Sequence, residues 1–161
     1  MTERTLTLLR LDTSPEHRPP SLPLVALATV LSVVVSLLAD AAVVAVCTRV
    51  AHSTKGYSHF QFHDYAKLTI IGVVIAGAAW PVVVRISSAP RWLFFRLAIL
   101  VTAVLLLPDL YILVQGQPPR AVAALMVMHL LIGLITYNLL VRLAPPRRRR
   151  GSTQRGAMTS T

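Results

Sequence analysis

LPLVALATVLSVVVSLLADAAVVAVCT, residues 22–48, is the stretch that decides the fold. Its one charged side chain is Asp40. A helix rises about 1.5 Å per residue, so about 20 apolar residues cross a hydrocarbon core of about 30 Å. In lipid the backbone must bond to itself, so a run of this length is helical. Pro19-Pro20-Ser21-Leu22-Pro23 leads into it, and proline suits the first turn of a helix. The run is too long for a secretory signal, and its leading tail is long as well. Val46 is not the small residue expected before a lipoprotein cysteine, so Cys47 is not read as a lipid anchor. The stretch is expected to be an uncleaved membrane span.

Three further runs follow the same logic, giving spans at about 22–48, 66–84, 92–114 and 121–143. Arg96 and Pro108-Asp109 interrupt the third, and Pro145-Pro146 close the fourth. The whole chain is 55% apolar and 14% charged, with a mean hydropathy of +0.65. Soluble domains carry about 25% charge, and disordered chains lack this much Leu, Val and Ile. The expected fold is therefore all-α, a four-transmembrane-helix bundle over 21–144. Residues 1–20 form a basic tail, and 145–161 are expected to be a disordered polybasic tail. Within 161 residues, four spans leave no room for a second domain. The single cysteine forbids an internal disulfide.

Lys and Arg set the orientation. Arg4, Arg10, Arg18, Arg85, Arg91, Arg96, Arg142, Arg147 to Arg150 and Arg155 fall on one side; Arg49, Lys55, Lys67 and Arg120 fall on the other. With an even number of spans, both termini are expected in the cytoplasm. The 49–65 loop and Gly116-Gln117-Pro118-Pro119 then face outward. Arg147 to Arg150 read as a polybasic stop held to anionic lipid rather than as a nucleic-acid motif.

Ionisable residues inside spans are costly, and each is a functional hypothesis. Asp40, Asp109 and His129 lie about 10–13 Å inward from the outer ends of three different helices. His129 can pair with either carboxylate. Helix one carries Ala28, Ser32, Ser36 and Asp40 at four-residue spacing. Gly72 and Ala76 with Thr69 mark helix two, Ala98, Thr102 and Asp109 mark helix three, and Gly133, Thr136 and Tyr137 accompany His129 on helix four. Small residues let helices approach closely, and polar ones bond across them. Ala28, Ser32, Ser36, Gly72, Ala76 and Gly133 are therefore the expected packing stripe. The polar cluster reads first as an interhelical clamp and second as a proton-responsive or cation-coordinating site. Pro108 is expected to kink the third helix. In the outer loop, His59 and His63 share an i,i+4 spacing, with His52 or Asp64 available as a third ligand. The preferred reading there is Asp64 as a helix N-cap, with Tyr57, Phe60, Phe62 and Tyr65 at headgroup level.

Val104-Leu105-Leu106-Leu107-Pro108-Asp109-Leu110, and Met126-Val127-Met128-His129-Leu130 in the last helix, resemble a family of small four-helix membrane proteins of high-GC Gram-positive bacteria, a domain of unknown function. The resemblance spans about Leu24 to Leu143, with Met128-His129 its most specific piece. It implies a plasma-membrane location and no known activity. The longer outer loop with its three histidines departs from the pattern.

The expected function is an accessory or scaffold component of a cell-envelope membrane assembly. No enzymatic activity, cofactor or nucleic-acid partner is expected; the bilayer and another membrane protein, or a second copy, are. The alternatives are a small oligomeric proton- or cation-coupled transport unit using Asp40, Asp109 and His129, and a metal binder using the outer-loop histidines.

Overall fold

The computed structural model describes residues 17–50 and 62–148. Four helices account for most of them: α1 (Leu22–Val50), α2 (Phe62–Ile86), α3 (Pro90–Val114) and α4 (Pro119–Leu143). Each contains a segment long and apolar enough to cross a membrane. The first helix starts with its apolar run, and α2, α3 and α4 start two to four residues before theirs. Pro90 and Pro119 are the reason for two of these early starts. Each stands at the first helical position, where its fixed φ fits and its missing N–H costs nothing.

The turns obey local chemistry. At the end of α3, Gly116 adopts a left-handed φ of 84°, which a side chain would resist. Gln117 N–H donates to the Ile112 carbonyl and Gly116 N–H to the Leu113 carbonyl, which satisfies two of the helix's last acceptors. Pro118 and Pro119 follow and start α4 at once. Pro108 and Pro81 both sit inside helices, and α3 continues through Pro108 to Val114.

Around the bundle the order is α2, α1, α4, α3. The most extensive packing is between α1 and α4; α4 also holds α3, and α1 holds α2. The seam between α2 and α3 is sparser. Two contacts bracket the antiparallel α1–α4 pair. At one end the Cys47 thiol donates to the Arg120 carbonyl at 3.8 Å. At the other, β1 (His17–Arg18) pairs antiparallel with β2 (Arg147–Arg148), matching His17 with Arg148. We refer to these as the loop end and the strand end.

The strand end contains the hydrophobic core. Val25 and Ala28 of α1, Trp80, Val83 and Val84 of α2, Leu93 and Phe94 of α3, and Leu140, Val141 and Ala144 at the end of α4 form one buried cluster. Trp80 is its centre and is fully buried. Its ring lies 4.9 Å from Phe94, and its Nε1–H donates to the Ala144 carbonyl at 2.8 Å. That bond satisfies the indole donor and caps a carbonyl at the α4 terminus in one step.

Outside this core the bundle displays Leu, Ile and Val. Leu38, Leu68, Ile75, Leu100, Leu107 and Leu134 are each more than half exposed. Soluble monomers rarely present so continuous an apolar surface. The outward face suggests a membrane protein.

Two expectations require correction. Gly72 was placed in the packing stripe, but it faces outward, and a Cβ added there would meet nothing within 4 Å. Gly77 is the close-approach position instead. Five residues on, a rotation of about 140° carries it to the opposite flank of α2. A Cβ there would run into the Thr29 hydroxyl. The second concerns the tails. Residues 147–148 are not structureless, because β2 ties them to β1, and β1 also touches α2. Like charges on the side chains do not forbid the pairing, because the ladder is made by backbone groups. The remainder of the tails lies outside the described residues.

Candidate functional site

The stripe of α1 sets the site. Ala28, Ser32, Ser36 and Asp40 are all fully buried. Four-residue spacing keeps them nearly on one line along the helix. Short side chains on that line let α4 and α2 come close. Ser32 spends its hydroxyl on its own helix, donating to the Ala28 carbonyl at 2.7 Å. Thr29 does the same to Val25 at 2.8 Å. Such bonds remove hydroxyl donors that lipid would leave unsatisfied.

Asp40 reaches across to α2. Thr69 donates its hydroxyl to Oδ2 of Asp40 at 2.8 Å, and both residues are buried. On the other side of the bundle, His129 of α4 meets Asp109 of α3, with Nδ1 2.9 Å from Oδ2. Asp109 is the one buried residue in the second half of α3. The ionisable residues are therefore consumed in two crossings, α1–α2 and α3–α4. His129 pairs with Asp109 and not with Asp40.

Helix register sets the depth of these groups. Counting inward from the Cys47–Arg120 contact, Asp40 lies about 10 Å down α1, Ser36 about 16 Å, and His129 about 14 Å down α4. His129 is thus level with the gap between Asp40 and Ser36. Three oxygens near this level and below it have no partner: Oδ1 of Asp40, Oγ of Ser36 and Oγ1 of Thr136. Buried polar atoms without partners are uncommon, and each is an open acceptor position.

The other stripe residues fall into place around these crossings. Gly133 lets α3 and α4 close together, since a Cβ there would lie 2.7 Å from the Thr102 hydroxyl. Ala76 packs at the edge of the Trp80 core. Trp80, Gly77 and Thr29 carry more of the packing than sequence reading assigned to them. The signal for Trp80 was its indole N–H, a donor that needs a partner inside an apolar span.

Among the described residues, no group of three His, Cys, Asp or Glu side chains is arranged to hold a metal. His52 and His59 lie outside the described residues. His63 lies in the first turn of α2, and its side chain and that of Asp64 lie outside them too.

The fold and the site define an all-helical chain with four helices able by length and composition to span a membrane, tied in pairs by polar crossings. The chain belongs to DUF6069, a family of unknown function, whose model matches residues 15–146. The match takes in strand β1 and all four helices and ends just before β2. No curated protein and no solved structure matches the chain.

Proposed function

We propose that this chain is an accessory or scaffold subunit of a membrane assembly, lying in a bacterial plasma membrane with both termini in the cytoplasm. The exposure of α3 carries this reading. Ile99, Leu100 and Val101 are consecutive and all more than half exposed. Consecutive residues are about 100° apart, so the three together sweep about 200° of the helix circumference. α3 grips its own bundle along a narrow line, through Thr102 against Gly133 and Asp109 against His129, and offers the rest to lipid or to a neighbouring span. The polar crossings support the same reading, because they fix which helices are neighbours without adding bulk. Purification in mild detergent tests it. Co-purification of a larger membrane partner, or of a second copy held along α3, is expected. A lone, monodisperse chain counts against it. Failure of an impermeant thiol reagent to label Thr161→Cys in intact cells is the expected result for a cytoplasmic C-terminus.

A second reading, a small oligomeric proton- or cation-coupled transport unit, is favoured by the three unpartnered oxygens at and below the level of His129. Four helices seldom enclose a pathway, so this version requires self-association. Flux into liposomes at varied pH tests it, comparing wild type with Asp109→Asn and His129→Ala. Equal flux in all three, or none in any, removes it.

A further inference from the structure

At the strand end, outside the Trp80 core, a pocket of about 280 Å³ opens between the start of α3 and the end of α4. Arg91, Tyr137, Asn138, Val141 and Arg142 line it. We propose that this pocket binds the phosphate of an anionic phospholipid headgroup, with an acyl chain lying along α4.

The charge argument comes first. Arg91 and Arg142 bring two guanidinium groups to one cavity, and both are exposed to it rather than buried in protein. Each planar fork suits two phosphate oxygens. No described carboxylate is available to neutralise them. The described acids are Asp40 and Asp109, both buried and both engaged toward the loop end. Asp109 lies eighteen residues along α3 from Arg91, about 27 Å away. The nearby arginine Arg96 is stacked over the Trp92 ring at 3.8 Å and is not part of the pocket.

The helix termini reinforce the charge. Arg91 is in the first turn of α3, whose preceding residue, Ala89, makes no side-chain cap. Trp92 and Leu93 N–H both donate to the Ala89 carbonyl, and the aligned peptide dipoles of α3 leave its start electropositive. The Tyr137 hydroxyl, 3.5 Å from the Arg91 carbonyl, joins the two walls. The Asn138 amide donates one N–H to the Leu134 carbonyl at 2.8 Å and has a second to offer beside the guanidiniums.

The shape of the surroundings separates a lipid from a free anion. On α4, Asn138 continues at four-residue steps into Leu134 and Leu130, both more than half exposed. One ridge therefore changes from polar to apolar on leaving the pocket. Phe95, about half exposed, flanks it from α3 with its ring 5.4 Å from Tyr137. A headgroup at the arginines puts its first methylenes on this ridge. A basic pocket between helices at the arginine-rich side of a membrane protein suits such a headgroup.

The inference rests on the membrane reading but not on the scaffold role. Native mass spectrometry of the full chain in detergent, titrated with phosphatidylglycerol or phosphatidylcholine, tests it. One saturable phosphatidylglycerol adduct is expected, at least ten-fold tighter than phosphatidylcholine. The Arg91→Gln/Arg142→Gln pair is expected to lose that preference, and Arg85→Gln is expected to keep it. Both pocket arginines are exposed, so an unchanged helical circular-dichroism signal shows that the variant is folded. Equal binding of the two lipids overturns the proposal, as does retention of the preference by the double variant. Displacement of the lipid by millimolar inorganic phosphate reassigns the pocket to a free anion and overturns the lipid assignment. A chain that does not partition into membranes at all fails the membrane reading instead, which separates the two failures.

Discussion

The strand end and the loop end of the bundle are held by different forces. At the strand end, all four helices converge on an apolar knot built around Trp80, Phe94 and Leu140. Toward the loop end that cluster stops, and the named cross-helix contacts become polar: Asp40 with Thr69, Asp109 with His129, and Cys47 with the Arg120 carbonyl. Lipid tails are as apolar as Leu, so between membrane helices apolar burial gives little by itself, and shape and hydrogen bonding decide. The strand end answers this with one large aromatic that fills space. The loop end answers it with narrow polar crossings that specify neighbours and leave Oδ1 of Asp40 open. A region meant to stay shut suits the first design. A region that exchanges partners, protons or ions suits the second.

Removing the knot is expected to give the largest effect. Trp80→Ala deletes the centre of the strand-end core and the bond to Ala144, at a cost of about 3–5 kcal/mol. Thermal unfolding in detergent measures it. Trp80→Phe keeps most of the volume and loses the donor, leaving the Ala144 carbonyl without it, for about 1–3 kcal/mol. If the alanine variant melts with wild type, the strand end is not the stable half and the contrast fails.

Next is the helix crossing between the two ends. Gly77→Ala drives a methyl into the Thr29 side chain, against Oγ1 and with Cγ2 at 2.9 Å. Overpacking of this kind costs about 1–3 kcal/mol. Adding Thr29→Ala removes both atoms and is expected to recover part of the loss, although the Thr29 Cβ at 3.1 Å stays tight. Absence of any coupling in the double variant would show that α1 and α2 do not meet at Gly77.

The loop end is expected to respond more weakly. A double-mutant cycle on Asp109→Asn and His129→Ala measures the α3–α4 crossing directly. Interhelical bonds in membranes average about 0.6 kcal/mol and reach about 1.7. A coupling in that range marks the pair as a neighbour-specifying clamp. If single variants leave stability alone yet change flux or partner capture, the pair serves function rather than fold.

Much of this was legible from residue order, and the failures are informative. The apolar runs fixed four helices because length and hydropathy are properties of a segment alone. The α1 line Ala28, Ser32, Ser36, Asp40 was readable because Leu31, Val33, Val35 and Leu37 flank its two serines and so set its face. The face of α2 was not readable. Gly72, Ala76, Gly77, Ala78 and Ala79 are all small, and composition alone does not rank one flank over the other. Trp80 breaks that tie in space, but only once Phe94 and Ala144 from other helices stand beside it. The partner of His129 was open for the same reason: two carboxylates at similar depth are equivalent until helix order is known. The strand ladder was invisible because backbone pairing between two arginine-bearing segments leaves no hydropathy signature.

The smallest expected effect tests that lesson most sharply. Gly72→Ala and Gly77→Ala are the same chemical change, five residues apart on one helix. At Gly72 the new methyl meets nothing within 4 Å and points away from the bundle. The gain in helix propensity over Gly is at most about 1 kcal/mol, and less where lipid already enforces the helix. A melting point at or slightly above wild type is therefore expected for Gly72→Ala, beside a clear drop for Gly77→Ala. Matching drops would place both glycines at an interface. For Gly72 that interface could only be with another molecule, since its own bundle leaves the site open, and the same measurement repeated at high dilution in detergent would then show the Gly72→Ala loss fading as the assembly comes apart.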